Sequence, residues 1–235
     1  MREFGVDEAG KGPVLGSMFA AAVVADPAEL PGDVGDSKGI PPERREELAA
    51  EIREVAAAVG VAEIPVERID DEATDMNSLT VAAQAEALSV ATADIDSGDA
   101  DGTLSGYIDA GDTNAVRFER RVSEGVADRL NDASPDVRAE HGADETYPVV
   151  GAASIVAKIE RDAHVDRLVA EHGDVGSGYP SDPATREFLE GYVAEHGDLP
   201  SCARASWKTS QDALAAATQS SLGEFEPEPT TLDDF

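Results

Sequence analysis

The chain has 235 residues, of which 41% are hydrophobic, so it can bury a sizeable core and is not a wholly disordered protein. Its 49 acidic residues against 18 lysines and arginines give a formal charge of −31. This charge excludes a basic nucleic-acid-coating protein and a polybasic membrane binder. One cysteine, Cys202, excludes a disulfide framework and a cysteine-based zinc site. The longest apolar run, residues 18–25, is shorter than the roughly 20 residues of a membrane span, and no signal peptide opens the chain. We therefore expect a soluble, cytoplasmic protein.

The acids are spread along the whole chain and are not collected in a tail. Such a composition suits concentrated salt, because the Debye length falls to about 3 Å at 1 M and screens the repulsion between surface carboxylates. We therefore predict that the source is an extreme halophile. Lysine is scarce, so each lysine is expected to have a particular role at its position. The four lysines are Lys11, Lys38, Lys158 and Lys208.

The first half of the chain alternates predicted strands and helices. In chain order we expect a strand over 3–7, a glycine-rich turn at 9–13, a buried strand over 14–24, a loop at 31–36, a helix over 41–59, a strand over 59–65 and a helix over 77–91. After a polar loop at 97–103, a strand over 104–109 again ends on an acid. The alternation indicates an α/β protein.

The second half is predicted to be mostly helical. One helix follows residue 109, because apolar residues recur every four positions at Phe118, Val122, Val126 and Leu130. The remaining predictions are a strand over 137–141, a turn cluster at 176–183 and helices over 147–169, 185–195 and 207–218. From Gln219 onward the composition is typical of a disordered tail.

Several acids follow or precede apolar segments. Asp7 and Glu8 end the first strand, Asp109 ends a later strand, and Asp144 lies just before the most apolar helix. Carboxylates at strand ends can converge on one crevice, where they would raise each other's pKa unless a cation joins them. Oxygen-only ligands favour Mg²⁺ or Mn²⁺, and two such ions about 4 Å apart can support phosphodiester cleavage. From the residues alone, halophile surface acids near strand ends explain the same pattern, so both interpretations stay open.

Other polar motifs carry weaker signals. The Gly10-Lys11-Gly12 turn lacks the P-loop spacing, although backbone N–H groups in a tight glycine turn can approach a phosphate or sugar. No serine has the nearby histidine of a hydrolase triad, and Cys202 is expected to be a small packed residue. The histidines lack the spacing of a zinc helix and are expected at the surface or at helix ends: His141, His164, His172 and His196.

Six segments, taken in order, resemble motifs of the ribonuclease HII family. They are residues 7–16 (DEAGKGPVLG), 36–38 (DSK), 107–110 (YIDA), 143–162 (from AD through YPVVGAASIVAK to RD), 176–183 (GSGYPSDP) and 207–209 (WKT). The resemblance spans roughly residues 3–212, and its motifs contain all four lysines.

The resemblance implies an RNase H-like α/β fold with a mixed central sheet flanked by helices. A catalytic domain would cover 1–212, including a helical C-terminal region from about 165, and 213–235 would be an acidic, disordered tail. The implied enzyme is an endonuclease that cuts the RNA strand of RNA–DNA hybrids and incises 5′ of single ribonucleotides in duplex DNA. Its products would carry 5′-phosphate and 3′-hydroxyl ends, and its role would be ribonucleotide and primer removal in replication and repair.

The same resemblance implies roles for particular residues. Asp7, Glu8, Asp109 and Asp144 would be the catalytic carboxylates and hold two Mg²⁺ or Mn²⁺ ions. Gly10, Lys11, Gly12 and Tyr179 would contact the ribose 2′-hydroxyl and phosphate, and further substrate contacts are expected from Lys38, Lys158, Arg161 and Lys208. Family members often have Arg where this chain has Lys11, which loses the planar fork. Glu145, beside Asp144, is expected to be a surface acid.

The tail carries a second motif. Gln219, Leu222 and Phe225 resemble the sliding-clamp-binding box Q-x-x-L-x-x-F, and 231–235 echo it without the Gln. Two alternatives remain open: another RNase H-fold nuclease such as a DNA junction resolvase, and a non-catalytic, clamp-tethered binding module. The turn at 10–12 and Tyr179 argue against the first, and a requirement for Asp7 would argue against the second. No apolar interface is evident, so we expect a monomer.

Overall fold

The structure is a computed structural model that describes residues 1–35, 39–93, 95, 104–130 and 135–223. Within those ranges the strands are β1 (Glu3–Ala9), β2 (Met18–Ala25), β3 (Ala58–Ile64), β4 (Ser105–Asp109) and β5 (Asp136–Glu140). The helices are α1 (Pro42–Val55), α2 (Val66–Ile69), α3 (Met76–Thr92), α4 (Ala115–Arg129), α5 (Ala143–Thr146), α6 (Pro148–His172), α7 (Pro183–His196) and α8 (Lys208–Gly223). None of the described helices is both long and apolar enough to cross a membrane.

The five strands form one mixed sheet in the order β3-β2-β1-β4-β5. β1 pairs antiparallel with β2 and parallel with β4, and β4 pairs parallel with β5. Helices cover both faces of the sheet, which confirms the predicted α/β class. Because β1 and β4 run in the same direction, their carboxyl ends, and the acids that follow, lie at the same edge.

The two faces of the sheet belong to two separate cores. Phe4 and Val6 of β1 join a cluster with α3 and α4, whereas α6 packs on the opposite face. At Gly5 the backbone of α6 comes so close that an added Cβ would lie 2.1 Å from the carbonyl carbon of Val149. The long helix α6 therefore packs directly on the strand that carries Asp7 and Glu8.

A third apolar cluster joins the start of the chain to its helical end. Val14 and Leu15 pack with residues of α6 and α7 and of the segment before α8, and Leu15 forms an isolated β-bridge with Ala203. Strand β2 therefore begins at Met18, and the prediction that it began at residue 14 was wrong. The apolar run did signal burial, but residues 14–17 are buried against the C-terminal region and not within the sheet.

The C-terminal helix is longer than predicted. α8 runs to Gly223, so the predicted tail boundary at 213 falls inside a helix whose Ala213 is buried in the third cluster. The prediction of disorder from Gln219 was wrong for residues 219–223, which are helical. The predicted helix over 41–59 was also too long, because Ala58 already begins β3.

Candidate active site

Two adjacent acids at the end of β1 point to opposite faces of the sheet, because successive side chains of a strand alternate. Asp7 is buried on the α6 face, where the Ser154 side chain hydrogen-bonds to it. Glu8 lies on the α3 face, where Gln84 Nε2 donates to its Oε2 at 2.6 Å. The short Asp-Glu pair thus reaches both layers of helices.

The other two predicted acids approach the same edge from different elements. Asp109 ends β4, one residue beyond the Val6–Ile108 pair of the parallel ladder. Its Oδ1 accepts a hydrogen bond from the Ala143 N–H at 2.9 Å, which ties β4 to the short helix α5. Asp144, the next residue, is buried within α5. The structure therefore brings the sequence-predicted carboxylates to one end of the sheet.

Burial and neighbouring charges disfavour the charged forms of Asp7, Glu8 and Asp109. Burial, with the neighbouring Glu8 and Asp109 charges, holds the pKa of Asp7 well above its ordinary value. Burial raises the pKa of Glu8 to about 7, although the Gln84 hydrogen bond and Lys11 oppose the rise. The pKa of Asp109 is raised by burial and by the charge of Asp144. Such a cluster favours a bound cation.

The donor set fits a hard divalent cation, because it offers carboxylate oxygens and no sulfur or imidazole. In the described part of the chain, no three His, Cys, Asp or Glu side chains already stand in the arrangement of a metal site. Protein donors hold the carboxylates instead: Ser154 on Asp7, Gln84 on Glu8 and the Ala143 N–H on Asp109.

The glycine turn, residues 10–12, follows β1 directly. Gly10 has a φ of +89°, a conformation that side chains rarely adopt. Lys11 Nζ hydrogen-bonds to the Gly111 carbonyl and lies 3.4 Å from Asn77 Oδ1. The ammonium of Lys11 therefore connects the turn to the loop after β4 and to the start of α3.

Tyr179 lies over this turn. An added Cβ at Gly12 would lie 3.7 Å from Tyr179 Cε1, and the guanidinium carbon of Arg161 lies 5.2 Å from the centre of the tyrosine ring. Arg161 also donates to the Ser177 carbonyl, which fixes the loop that carries Tyr179. The structure thus joins three of the predicted substrate contacts.

The remaining predicted contacts lie in different surroundings. Lys158 Nζ donates to Ser154 Oγ at 2.7 Å and so belongs to the Asp7 environment. Lys208 is exposed at the start of α8, where it pairs with Asp212 on the same helix. Lys38, with the rest of 36–38, lies outside the described residues. Glu145 is exposed, as expected for a surface acid.

Cys202 and the histidines were expected to have no catalytic or metal-binding role, and the structure shows where each expected placement was right or wrong. Cys202 is buried in the third cluster, which confirms it as a packed residue. The expectation that every histidine is a surface or helix-end residue was wrong for His164. Its largely buried ring lies mid-way along α6, and Nε2 accepts the Ser17 N–H at 3.1 Å. A neutral imidazole is thus used as a backbone acceptor directly after Gly16.

The family model described as ribonuclease HII matches residues 4–210. The chain belongs to the ribonuclease HII family. A ribonuclease HII of Haloarcula marismortui is 66% identical over 94% of this chain and 99% of its own length. Because this relative comes from a haloarchaeon, the match supports the halophile interpretation of the acid excess.

Solved structures of ribonucleases H share the fold. Ribonuclease H2 from Pyrococcus horikoshii superposes with a TM-score of 0.77 at 32% identity, covering 93% of this chain and all of that one. A ribonuclease HII from Archaeoglobus fulgidus, solved in a complex with PCNA, gives 0.75 at 38% identity, covering 88% and 96%. With the family match, these likenesses identify the chain as an RNase H endonuclease, a hydrolase.

Several residues of this ribonuclease HII site were missed by the sequence analysis. Gln84 contacts Glu8 and the Asp109 carbonyl, and Ser154 links Asp7 to Lys158. Arg204 donates to carbonyls of the glycine turn. A polar side chain inside an apolar stretch was the available signal, since Gln84 lies in an alanine-rich helix and Arg204 between two alanines.

Proposed function

We propose that the chain cleaves the RNA strand of RNA–DNA hybrids and also incises duplex DNA on the 5′ side of a single ribonucleotide. The observation that carries this proposal is that Tyr179 lies over Gly12, where an added Cβ would be in van der Waals contact with the tyrosine ring at 3.7 Å. Only the 2′-hydroxyl distinguishes one ribonucleotide from its DNA neighbours, so recognition needs protein groups close to the sugar. A bare turn facing an aromatic ring supplies that close approach.

Asp7, Glu8, Asp109 and Asp144 would hold two Mg²⁺ or Mn²⁺ ions. When bound, such ions supply an activated water and stabilise the departing oxygen, which yields 5′-phosphate and 3′-hydroxyl ends. The chain's own residues place the ligands: Ser154 holds Asp7, Gln84 orients Glu8 and the Ala143 N–H fixes Asp109. The raised pKa values of Asp7, Glu8 and Asp109 support this role, because a bound cation would offset the burial and the repulsion that raise them.

An acidic protein needs local cations to bind nucleic acid. Lys11, Lys158 and Arg161 are grouped with the glycine turn and the Asp7 environment. At molar salt, counterion release adds little to binding and long-range repulsion is screened. Short-range contacts from these side chains and from the turn would therefore carry the affinity.

The test uses a labelled DNA duplex with one ribonucleotide and a separate RNA–DNA hybrid, assayed in about 3 M KCl with Mg²⁺ or Mn²⁺, a concentration at which screening is complete. We expect a metal-dependent cut 5′ of the ribonucleotide and cleavage of the hybrid. Asp109→Asn and Asp144→Asn should abolish both activities. Glu145→Gln, which changes the exposed acid next to Asp144, is the matched control and should retain both.

Each failure has a distinct meaning. Cleavage of the hybrid alone would contradict the single-ribonucleotide part of the proposal. Cleavage of a branched all-DNA junction would favour a resolvase. Loss of all cleavage, with nucleic-acid binding that survives Asp7→Asn, would favour a non-catalytic binding module.

We further propose that the C-terminal segment binds a sliding clamp. Two observations support this: the Gln219, Leu222 and Phe225 spacing, and the Archaeoglobus fulgidus relative solved with PCNA. Gln219 lies on α8, which continues to Gly223, whereas Phe225 lies outside the described residues. Leu222→Ala with Phe225→Ala should remove clamp binding in a pull-down and leave hybrid cleavage unchanged. Unchanged binding in that variant, also after deletion of 231–235, would contradict the proposal.

A further inference from the structure

Arg204 is a buried cation held by main-chain carbonyls. Its side chain has no exposed surface. Nη2 donates to the Gly10 carbonyl at 2.6 Å, Nη1 to the Lys11 carbonyl at 3.1 Å and Nε to the Gly16 carbonyl at 2.8 Å. Buried charges normally pair with an opposite charge, but the groups that bond directly to Arg204 are these carbonyls, and the Asp70 carboxylate adds an electrostatic attraction. The carbonyl dipoles of the glycine turn and of Gly16 stabilise the buried positive charge.

The guanidinium is itself fixed on several sides. The Arg204 N–H donates to the Val14 carbonyl at 2.8 Å, and the ring of Trp207 lies 4.9 Å from the guanidinium carbon. The next N–H groups along the chain, of Ala205 and Ser206, both donate to the carboxylate of Asp70. These contacts hold the Arg204 guanidinium in one position, so it can fix the backbone whose carbonyls it contacts.

That backbone is the glycine turn. With the Gly10 and Lys11 carbonyls directed at Arg204, the N–H groups of Lys11 and Gly12 donate to no protein acceptor in the described part of the chain. Successive unpaired N–H groups in such a turn form a concave site for an anionic or hydroxyl oxygen. These two N–H groups can therefore donate to an external ligand.

We propose that Arg204 is a positioning residue for substrate binding, which fixes the glycine turn so that its N–H groups meet the nucleic acid backbone. This inference rests on the proposed substrate contact of the glycine turn. A planar fork with five donors can hold three carbonyls together, whereas a lysine ammonium cannot span them. Arg204 touches no reacting atom and acts only through the turn.

The experiment compares Arg204→Met and Arg204→Lys with Leu189→Ala in about 3 M KCl, where charge repulsion is screened. Leu189 lies on α7 and is buried in the third apolar cluster, so its truncation controls for lost stability. Two readouts are measured: amide hydrogen exchange of a peptide covering residues 10–17, and kcat and KM on an RNA–DNA hybrid. The hybrid is chosen because its cleavage does not depend on the single-ribonucleotide activity.

We expect Arg204→Met to speed amide exchange in the 10–17 peptide. It should also raise KM about tenfold and change kcat less than about threefold, because a binding contact is lost equally from the ground state and the transition state. Arg204→Lys, which keeps the buried charge, should fold and give an intermediate KM. A KM no higher than that of Leu189→Ala in both variants would overturn the proposal. Faster exchange with unchanged KM would also overturn the proposal, because the glycine turn would then not bind substrate. The proposed contact between the turn and the substrate would fail in that case. The single-ribonucleotide assay would still test the other parts of the proposed function.

Discussion

The neutral side-chain amide of Gln84 connects the Glu8 carboxylate to the main chain of Asp109. Its Nε2 donates to Glu8 Oε2 at 2.6 Å and to the Asp109 carbonyl at 3.0 Å, so both acceptors require the nitrogen on that side. The other amide atom, Oε1, is buried without a hydrogen-bond partner among the described residues. An unsatisfied buried oxygen costs about 1–3 kcal/mol of stability. The residue therefore serves the site at the expense of the fold.

Replacing Gln84 should separate activity from stability. We expect Gln84→Met to lower kcat/KM on an RNA–DNA hybrid by about 10–100-fold, as removal of a group that orients a ligand does. Its free energy of unfolding should change little, because removal of the orphaned oxygen offsets the loss of the two hydrogen bonds that Gln84 donates. Steady-state kinetics and urea unfolding measure the two effects. Gln211→Met, on the exposed face of α8, is the control, and equal kcat/KM for both variants would contradict the role of Gln84.

His164 should make stability depend on pH. Burial lowers the pKa of His164 below 6.5, and Arg167, Arg161 and Arg204 act in the same direction while Glu63 opposes them. The folded state therefore binds fewer protons than the unfolded state as pH falls below about 6.5, so stability is lost on acidification. Protonation also removes the acceptor for the Ser17 N–H.

The measurement is the free energy of urea unfolding at two pH values, about 7.5 and 5.5, on either side of an ordinary histidine pKa. Wild type should lose more stability between them than His164→Gln, whose amide oxygen accepts a hydrogen bond at both pH values. Acidic groups elsewhere titrate equally in both proteins and cancel in the difference. Identical pH dependence in the two proteins would show that His164 does not titrate with unfolding.

Sequence reasoning located the carboxylates but not the residues that hold them. Asp7 and Asp109 were candidates because each ends an apolar, strand-forming segment, but the family resemblance was needed to separate them from surface acids. Gln84 and Arg204 were not, because their partners lie 76 and 194 positions away along the chain. Hydrophobic periodicity reports which side of an element is buried, and it carries no information about which distant atom a polar group meets.

At the level of elements, the contact between β1 and α6 places Asp7 beside Ser154. Gly5 permits this contact, since a Cβ there would lie 2.1 Å from the Val149 carbonyl carbon. Gly5→Ala should destabilise the protein by about 1–3 kcal/mol, as overpacking does. Urea unfolding measures the loss.

Gly191 supplies the matched glycine control for Gly5→Ala. It lies in α7 with no atom within 4 Å of an added Cβ, so Gly191→Ala should stabilise the protein by about 0.5–1 kcal/mol through helix propensity. A neutral Gly5→Ala would mean that α6 can move away from β1 at no cost.

Elements defined by local pattern were predicted well, and elements defined by distant contacts were not. The four-residue apolar period predicted α4, and the acid after an apolar run predicted β4. Residues 14–17 were assigned to β2 because they continue its apolar run, but the Leu15–Ala203 bridge removes them from the sheet. The one-turn helices α2 and α5 are too short to show any periodicity.

For the molecule as a whole, a charge of −31 predicts dependence on salt. We expect both hybrid cleavage and thermal stability to rise with KCl and to be greatest at molar concentration, where the Debye length is about 3 Å. A titration of activity and melting temperature against KCl tests this. An activity optimum in dilute buffer would contradict the halophile interpretation.

A charge-reduced variant supplies the control for that titration. Glu43, Glu46 and Glu54 are exposed on α1, away from the predicted carboxylate site. Replacing all three by Gln should lower the KCl concentration at which the melting temperature reaches half of its total increase. The reason is that fewer like charges then need screening. An unchanged salt dependence would mean that the requirement does not come from surface repulsion.

The bonds from Arg204 to Gly10 and Lys11 also set an order of events during synthesis. The carbonyls that Arg204 holds leave the ribosome near the start of translation, and their partner is made about 190 residues later. At about 5–20 residues per second, the turn waits on the order of ten seconds or more for its support. A nascent chain can pair β1 with β2 long before then, yet its nuclease surface stays unfinished until almost the whole protein has emerged.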